Sequence, residues 1–149
     1  MRKWQILASI FALLVVTGEA KAGDKEDVLA KLDAFYTALN TGDFDAMEIS
    51  SHTRFNRNGS LLSFADGEKM KAWLASSGVK FNIQMHHGDV KIYGEAAVYT
   101  YYESVRITPP KGEETRRETN RLTVVFAKQK GEWKYVHVHV SSLTPVNPE

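Results

Sequence analysis

The sequence predicts an α+β domain in which N-terminal helices pack on one face of a curved antiparallel sheet, and three observations predict it. Apolar residues first recur at three- and four-residue steps, the spacing of a helix face. From Val79 onward the period changes from 3.6 to 2, and four strand-like runs follow one another to the C-terminus. Short connections join these runs, and short connections make neighbouring antiparallel pairs. Helices first and a meander of long strands afterward is the α+β order.

The first 22 residues read as an export signal rather than as part of the fold. Arg2 and Lys3 supply a positive start, Ile6 to Val16 an apolar stretch, and Ala20-Lys21-Ala22 the small residues a signal peptidase inspects. The apolar stretch is short of the roughly 20 residues a transmembrane helix needs. Cleavage after Ala22 is therefore expected, with a periplasmic or secreted product and no membrane association once the signal is removed. Residues 23–149 then form a single domain, with no internal repeat and no interior linker.

A helix opens this domain. Asp24 can cap it, Glu26 and Asp27 favour its positive end, and Val28, Leu32, Phe35, Tyr36 and Leu39 share one face before Asn40-Thr41-Gly42 stops it. A second short helix is expected from Asp43, with Phe44 and Met47 facing inward. Between Ser50 and Ser63 periodicity dissolves, and Asn58-Gly59 marks a turn between two short strand candidates. A third helix is expected from Asp66 to about Ser76, with Met70, Trp73 and Leu74 on one side and Gly78 ending it. The four strands are Val79 to Ile92, irregular near His87-Gly88, then Glu95 to Ile107, Glu118 to Lys128 and Glu132 to Ser142.

Composition excludes several classes of function. The chain carries 19 basic and 18 acidic residues, and its basic pair Arg116-Arg117 lies beside Glu113, Glu114 and Glu118, so it lacks the concentrated positive charge of a nucleic-acid binder. It has no cysteine, which removes thiol and iron–sulfur chemistry and leaves the domain to be held by packing. No phosphate-binding glycine loop, Ser-His-Asp order or zinc spacing is present, and no cofactor is expected.

The ending Gly131-Glu132-Trp133-Lys134-Tyr135-Val136-His137-Val138-His139, together with this element order, resembles the nuclear-transport-factor-2-like superfamily. The Gly-x-Trp-x-x-Val-His-x-His-x-Ser pattern of residues 131–141 is similar to the association domain of calcium/calmodulin-dependent kinase II and its stand-alone bacterial relatives. The Ala65-Asp66-Gly67 turn and the run Tyr93-Gly94-Glu95-Ala96-Ala97-Val98 are similar to the SnoaL-like branch. Such a resemblance implies a cystatin-like cone, in which the curved sheet wraps around the helices and a pocket forms inside. It also implies a homodimer, or a higher homo-oligomer, made through the convex sheet face. The family includes isomerases, cyclases, dehydratases, binding proteins and assembly domains, so the fold leaves the function open.

Strand parity then assigns candidate residues. With Val136, Val138 and Val140 facing the cone and Leu122, Val124 and Phe126 beside them, the pocket is expected to be aliphatic. The association-domain pocket is lined by arginines on these two strands; the ungapped equivalents here are Val124 and Val140, with Arg54, Arg106 or Arg121 able to substitute. His137 and His139 would lie on the other face with Trp133 and Tyr135. No third metal ligand accompanies them, because Arg121, Thr123 and Val125 are the neighbours of matching parity, so no metal site is expected. Proton abstraction beside a carbonyl would need a base, here His52 or Asp66, and a phenol donor, here Tyr36, Tyr99 or Tyr101. Asp66 also has a plain role as helix cap. Trp73, Tyr99 and Tyr101 could stack on a flat ligand, or could simply fill the core.

These residues are read first as a non-catalytic module holding a small, mostly apolar organic molecule. The alternatives are a cofactor-independent isomerase, cyclase or dehydratase of the ketosteroid isomerase-like type, and a pure assembly scaffold with a filled cone.

Overall fold

A computed structural model describes residues 23–110 and 115–143. The expected export signal lies outside the described residues. Two helices and six strands follow in the order α1 (Asp24–Thr41), β1 (His52–Phe55), β2 (Ser63–Ala65), α2 (Gly67–Ser77), β3 (Lys80–Tyr93), β4 (Ala96–Thr108), β5 (Arg116–Gln129) and β6 (Glu132–Ser142). The strands form one sheet in the order β2-β1-β6-β5-β4-β3. The architecture is the expected α+β cone. Among the described residues no helix is long and apolar enough to cross a membrane.

The predicted stripe of α1 is what the sheet covers. Val28, Leu32, Tyr36 and Leu39 are buried against Val124, Phe126 and Trp133. Burying each such side chain contributes roughly 1.5–3 kcal/mol. Asp24, however, does not cap. Gly23 occupies the cap position, and Asp24 turns inward, where its carboxylate pairs with Lys128 and accepts from Trp133 Nε1 at 3.3 Å. At the other end of the helix, Asn40 mimics a strand: its amide donates to Ile83 O at 2.9 Å and accepts from Ile83 N at 2.7 Å. This ties α1 to the free edge of β3 and props the cone open there.

The expected second helix does not form. Asp43 Oδ1 accepts from Ala46 N at 3.2 Å, and Met47 N reaches Phe44 O at 3.3 Å, so the segment makes one local turn and stops. Met47 is nevertheless buried. Asp66 caps α2 as read, accepting from Lys69 N at 3.1 Å, and Gly78 ends it with φ 68°. Only part of the apolar side of α2 is covered: Leu74 is buried, but Trp73 is 57% exposed.

Two features of the sheet were hidden from parity. β1 pairs antiparallel with β2 across the expected Asn58-Gly59 turn, and it also pairs parallel with β6, which joins this hairpin to the main sheet. More consequentially, β6 contains a bulge: Val125 faces His137 but Phe126 faces Tyr135, which leaves Val136 unpaired. Side chains before and after the bulge are therefore out of phase. Trp133 and Tyr135 join Val138 and Val140 on the concave face, while His137 and His139 point outward. A second bulge falls between His86 and Asp89 in β3, at the predicted irregularity. Gly88 is required there, since a Cβ would stand 1.8 Å from the Tyr99 hydroxyl.

Candidate functional site

Inside the cone, between α1, Met70 of α2, β1 and the concave faces of β3 to β6, lies a cavity of about 400 Å³. The cone is not filled. Leu122, Val138 and Val140 line it as parity predicted, with Phe35, Ile83 and Val105 completing apolar walls. A second cavity of about 390 Å³ meets it at Phe35, Ile49 and Tyr135 and opens beside Lys31 and Glu48.

The expected aliphatic pocket is corrected by polar side chains in two places: Tyr36, Glu103 and Asn120 line the cavity where β5 pairs with Ser142, and His52 and Arg54 line it from β1, where Arg54 pairs with Val138. Glu103 and Asn120 are opposite one another in register on β4 and β5, which fixes both on the concave face. Asn120 Nδ2 donates to Glu103 Oε1 at 3.0 Å, and the Tyr36 hydroxyl donates to Glu103 Oε2 at 2.8 Å. The Tyr36 and Tyr101 hydroxyls share a further hydrogen bond at 2.5 Å. Since Tyr36 gives its proton to Glu103, Tyr101 must donate to Tyr36, and the three form one directed chain.

Electrostatics follow from burial. Loss of solvent raises the Glu103 pKa above the ordinary carboxylate value, and the hydrogen bonds from Asn120 and Tyr36 only partly offset that. Burial pushes Tyr36 far up, with Tyr101 and Glu103 adding to it; burial likewise raises Tyr101 and Tyr135. These phenols stay protonated as donors. His52 moves the other way: burial holds its pKa below 6.5, with Arg54 and His137 pushing in the same sense. Its Nδ1 faces Ser50 O at 2.9 Å, so Nδ1–H donates and the neutral ring carries its lone pair on Nε2. Tyr135 holds that ring edge-on, 4.4 Å between centroids.

Two atoms of this lining are buried without a hydrogen-bond partner, Arg54 Nε and Asn120 Oδ1. Each such orphan costs roughly 1–3 kcal/mol in a folded protein.

Other candidates are placed elsewhere. The Asp66 carboxylate is committed to the α2 cap and does not line the cavity, which withdraws it as a base. Trp73 faces solvent, and Val136 is the unpaired bulge residue, so neither lines the cavity. Val124 and Phe126 are fully buried towards the closed end of the cone, Phe126 reaching only the second cavity. Tyr99 stacks on Tyr101 at 4.9 Å and lies against Gly88, behind the cavity wall. Of the three arginines weighed, Arg54 lines the cavity; Arg121 bonds Ser141 on the outer face and Arg106 lies on that same face.

Glu103 and Asn120 were missed, although both were within reach. Extending the concave parity of Leu122 back by two residues lands on Asn120, and β4 read as Tyr99, Tyr101, Glu103, Val105 shows one carboxylate in a buried register.

Comparison with known proteins places this geometry. The profile of the SnoaL-like domain matches residues 28–145. The hub of the kinase CaMKII from S. rosetta superposes with a TM-score of 0.63 at 26% identity, over 83% of this chain and 99% of that one. An NTF2-like superfamily protein from Salmonella enterica gives 0.66 at 17% identity, over 87% and 99%. A protein with a cystatin-like fold from Caulobacter vibrioides gives 0.61 at 20%, over 81% and 90%. No curated protein sequence matches.

Proposed function

The chain belongs to the SnoaL-like family, and we propose that it is an exported protein that holds a small, mostly apolar organic molecule in its cone. The observation that carries this reading is the cavity of about 400 Å³, apolar along Leu122, Val138 and Val140 with a few polar side chains around that wall. An apolar chamber with a few convergent polar groups is the usual form of a small-molecule site. Native mass spectrometry of protein purified from its own periplasm tests it. A co-purifying molecule that is lost in the cavity-filling variant Val140→Phe supports the reading; identical spectra for a ligand-free wild type and that variant would sink it.

A second reading is cofactor-free proton transfer, favoured by the Tyr101–Tyr36–Glu103 chain and by His52, which lines the same cavity. A carboxyl group whose pKa is raised by burial holds its proton more readily and can act as general acid or base, and a phenol donor can stabilise a developing oxyanion. Solvent deuterium incorporated into a bound molecule, and abolished in Glu103→Gln or His52→Ala with binding retained, would support this; unchanged exchange in both variants would remove it.

Self-association belongs to the proposal as well. The outer face exposes Phe55, Phe64 and Tyr102, and the fold is shared with a kinase hub. Sedimentation should show a dimer or larger species, reduced by Tyr102→Glu.

A further inference from the structure

We infer that the cavity recognises its ligand at two ends, and that the ligand is an organic acid carrying a hydroxyl at the far end of an apolar body. The inference rests on the binding reading above and adds a chemical class to it.

One end is Arg54. Its place is fixed by pairing with Ser63 of β2 on one side and Val138 of β6 on the other, so its side chain shares the concave face with Val138. Its Nε is buried without an acceptor, and no carboxylate pairs with its guanidinium among the described residues. The neighbouring Arg57, by contrast, is neutralised by Glu118 at 2.5 Å. An uncompensated guanidinium at an apolar chamber favours an anion, and its planar fork suits a carboxylate.

The other end is Asn120, and its orientation is not arbitrary. Because Nδ2 must donate to Glu103 Oε1, the amide oxygen is turned away from the carboxylate, and it is left as a buried acceptor with nothing to accept. Flipping the amide would set oxygen against oxygen. The ligand group that meets Oδ1 must therefore be a donor, and Glu103 behind it disfavours a second anion at this end.

Register separates the two ends. Arg54 pairs with Val138, whereas Asn120 pairs with Ser142, four residues further along β6. At strand rise that is an offset of roughly 13 Å along the strands, with β6 lying between the two residues, and the inward reach of both side chains shortens the gap to about the length of one ring. Between the ends lie Val138, Val140 and Leu122, and Phe35 stacks on Tyr135 at the flank. The sequence acceptor, apolar body, donor is thus met by guanidinium, aliphatic and aromatic wall, and amide oxygen.

The experiment is calorimetric titration of the full chain with 4-hydroxybenzoate, benzoate and the uncharged p-cresol. The wild type should bind 4-hydroxybenzoate at least tenfold more tightly than benzoate. Arg54→Met should weaken both acids at least tenfold while leaving p-cresol unchanged, and Asn120→Leu should abolish the preference for the hydroxyl without weakening benzoate. Comparing the two acids on the wild type needs no variant to fold, and thermal melting checks those that are used. Equal binding of the two acids, or acid binding indifferent to Arg54→Met, overturns the two-ended inference but leaves the binding reading if p-cresol binds and Val140→Phe excludes it. If none of the three probes binds, both fail.

Discussion

Among the described residues two carboxylates are buried to nearly the same degree, Asp24 at 6% exposure and Glu103 at 7%, and they lie at opposite ends of the same cone. Asp24 closes one end. It is matched by a cation, Lys128, which also lies 5.3 Å over the Trp133 ring, and it accepts from the indole of Trp133 itself. Glu103 stands at the open end and meets only neutral donors, beside the Asn120 amide oxygen, which is left without a partner. Burial alone does not distinguish a structural charge from a functional one; the completeness of its surroundings does. A finished network holds a fold together, and an unfinished one in a cavity awaits a ligand.

The comparison breaks most visibly at the closed end. Lys128→Met takes one cation from the buried Asp24, and removing one partner of such a pair should destabilise the domain by about 3 kcal/mol. Chemical denaturation measures this. Ligand affinity of the folded fraction should not change, because Lys128 does not line the cavity of about 400 Å³.

At the open end the effect is smaller and depends on pH. Glu103→Ala strands the donors of Tyr36 and Asn120 and should cost roughly 1–3 kcal/mol. Glu103→Gln keeps the shape and removes the ionisation. Burial raises the Glu103 pKa in the folded state above 4.5, so its contribution to stability is fully present below 4.5 and is lost as pH rises through the folded value. The wild type should therefore lose stability relative to Glu103→Gln as pH increases over that window. His52, whose folded pKa is depressed, contributes stability present above 6.5 and lost as pH falls, so only the difference between the two proteins isolates Glu103. Denaturant midpoints measured across the pH range, with a constant difference between the two proteins, would show that Glu103 does not titrate as described.

How much of this was legible in the sequence depends on how local the cause is. The stripe of α1, the Asp66 cap and the four long strands follow from neighbouring residues alone, and they appear where the periodicity places them. The Leu122–Val140 and Val124–Val138 pairs were also readable, because strand parity is a local rule. Parity failed at Val136, since a bulge is decided by what the partner strand requires. One unpaired residue moved Trp133 and Tyr135 to the concave face and took Val136, alone of the three valines, out of the cavity lining. The parallel pairing of β1 with β6 joins residues more than eighty positions apart, and no local pattern announces it. Arg54, on one of the two short strand candidates, thereby entered the site through a pairing that its own segment did not announce. Glu103 and Asn120 were a different matter: their parity was available, and only the expectation of a wholly apolar pocket hid them.

The smaller effects sharpen the contrast along one strand. Tyr36→Phe removes the hydroxyl that donates to Glu103 and accepts from Tyr101, and a net cost of about 2 kcal/mol is expected from two buried hydrogen bonds. His139, two residues from His137 on the outer face of β6, is exposed and rests edge-on against Phe55, 5.6 Å between centroids. His139→Ala should change monomer stability by less than about 0.5 kcal/mol. It should leave cavity binding untouched, because His139 is separated from the cavity by the sheet itself. If titration instead showed that His139→Ala weakens a cavity ligand as much as Arg54→Met does, the division of β6 into a ligand-facing side and an outward side would be wrong, and with it the placement of the bulge at Val136.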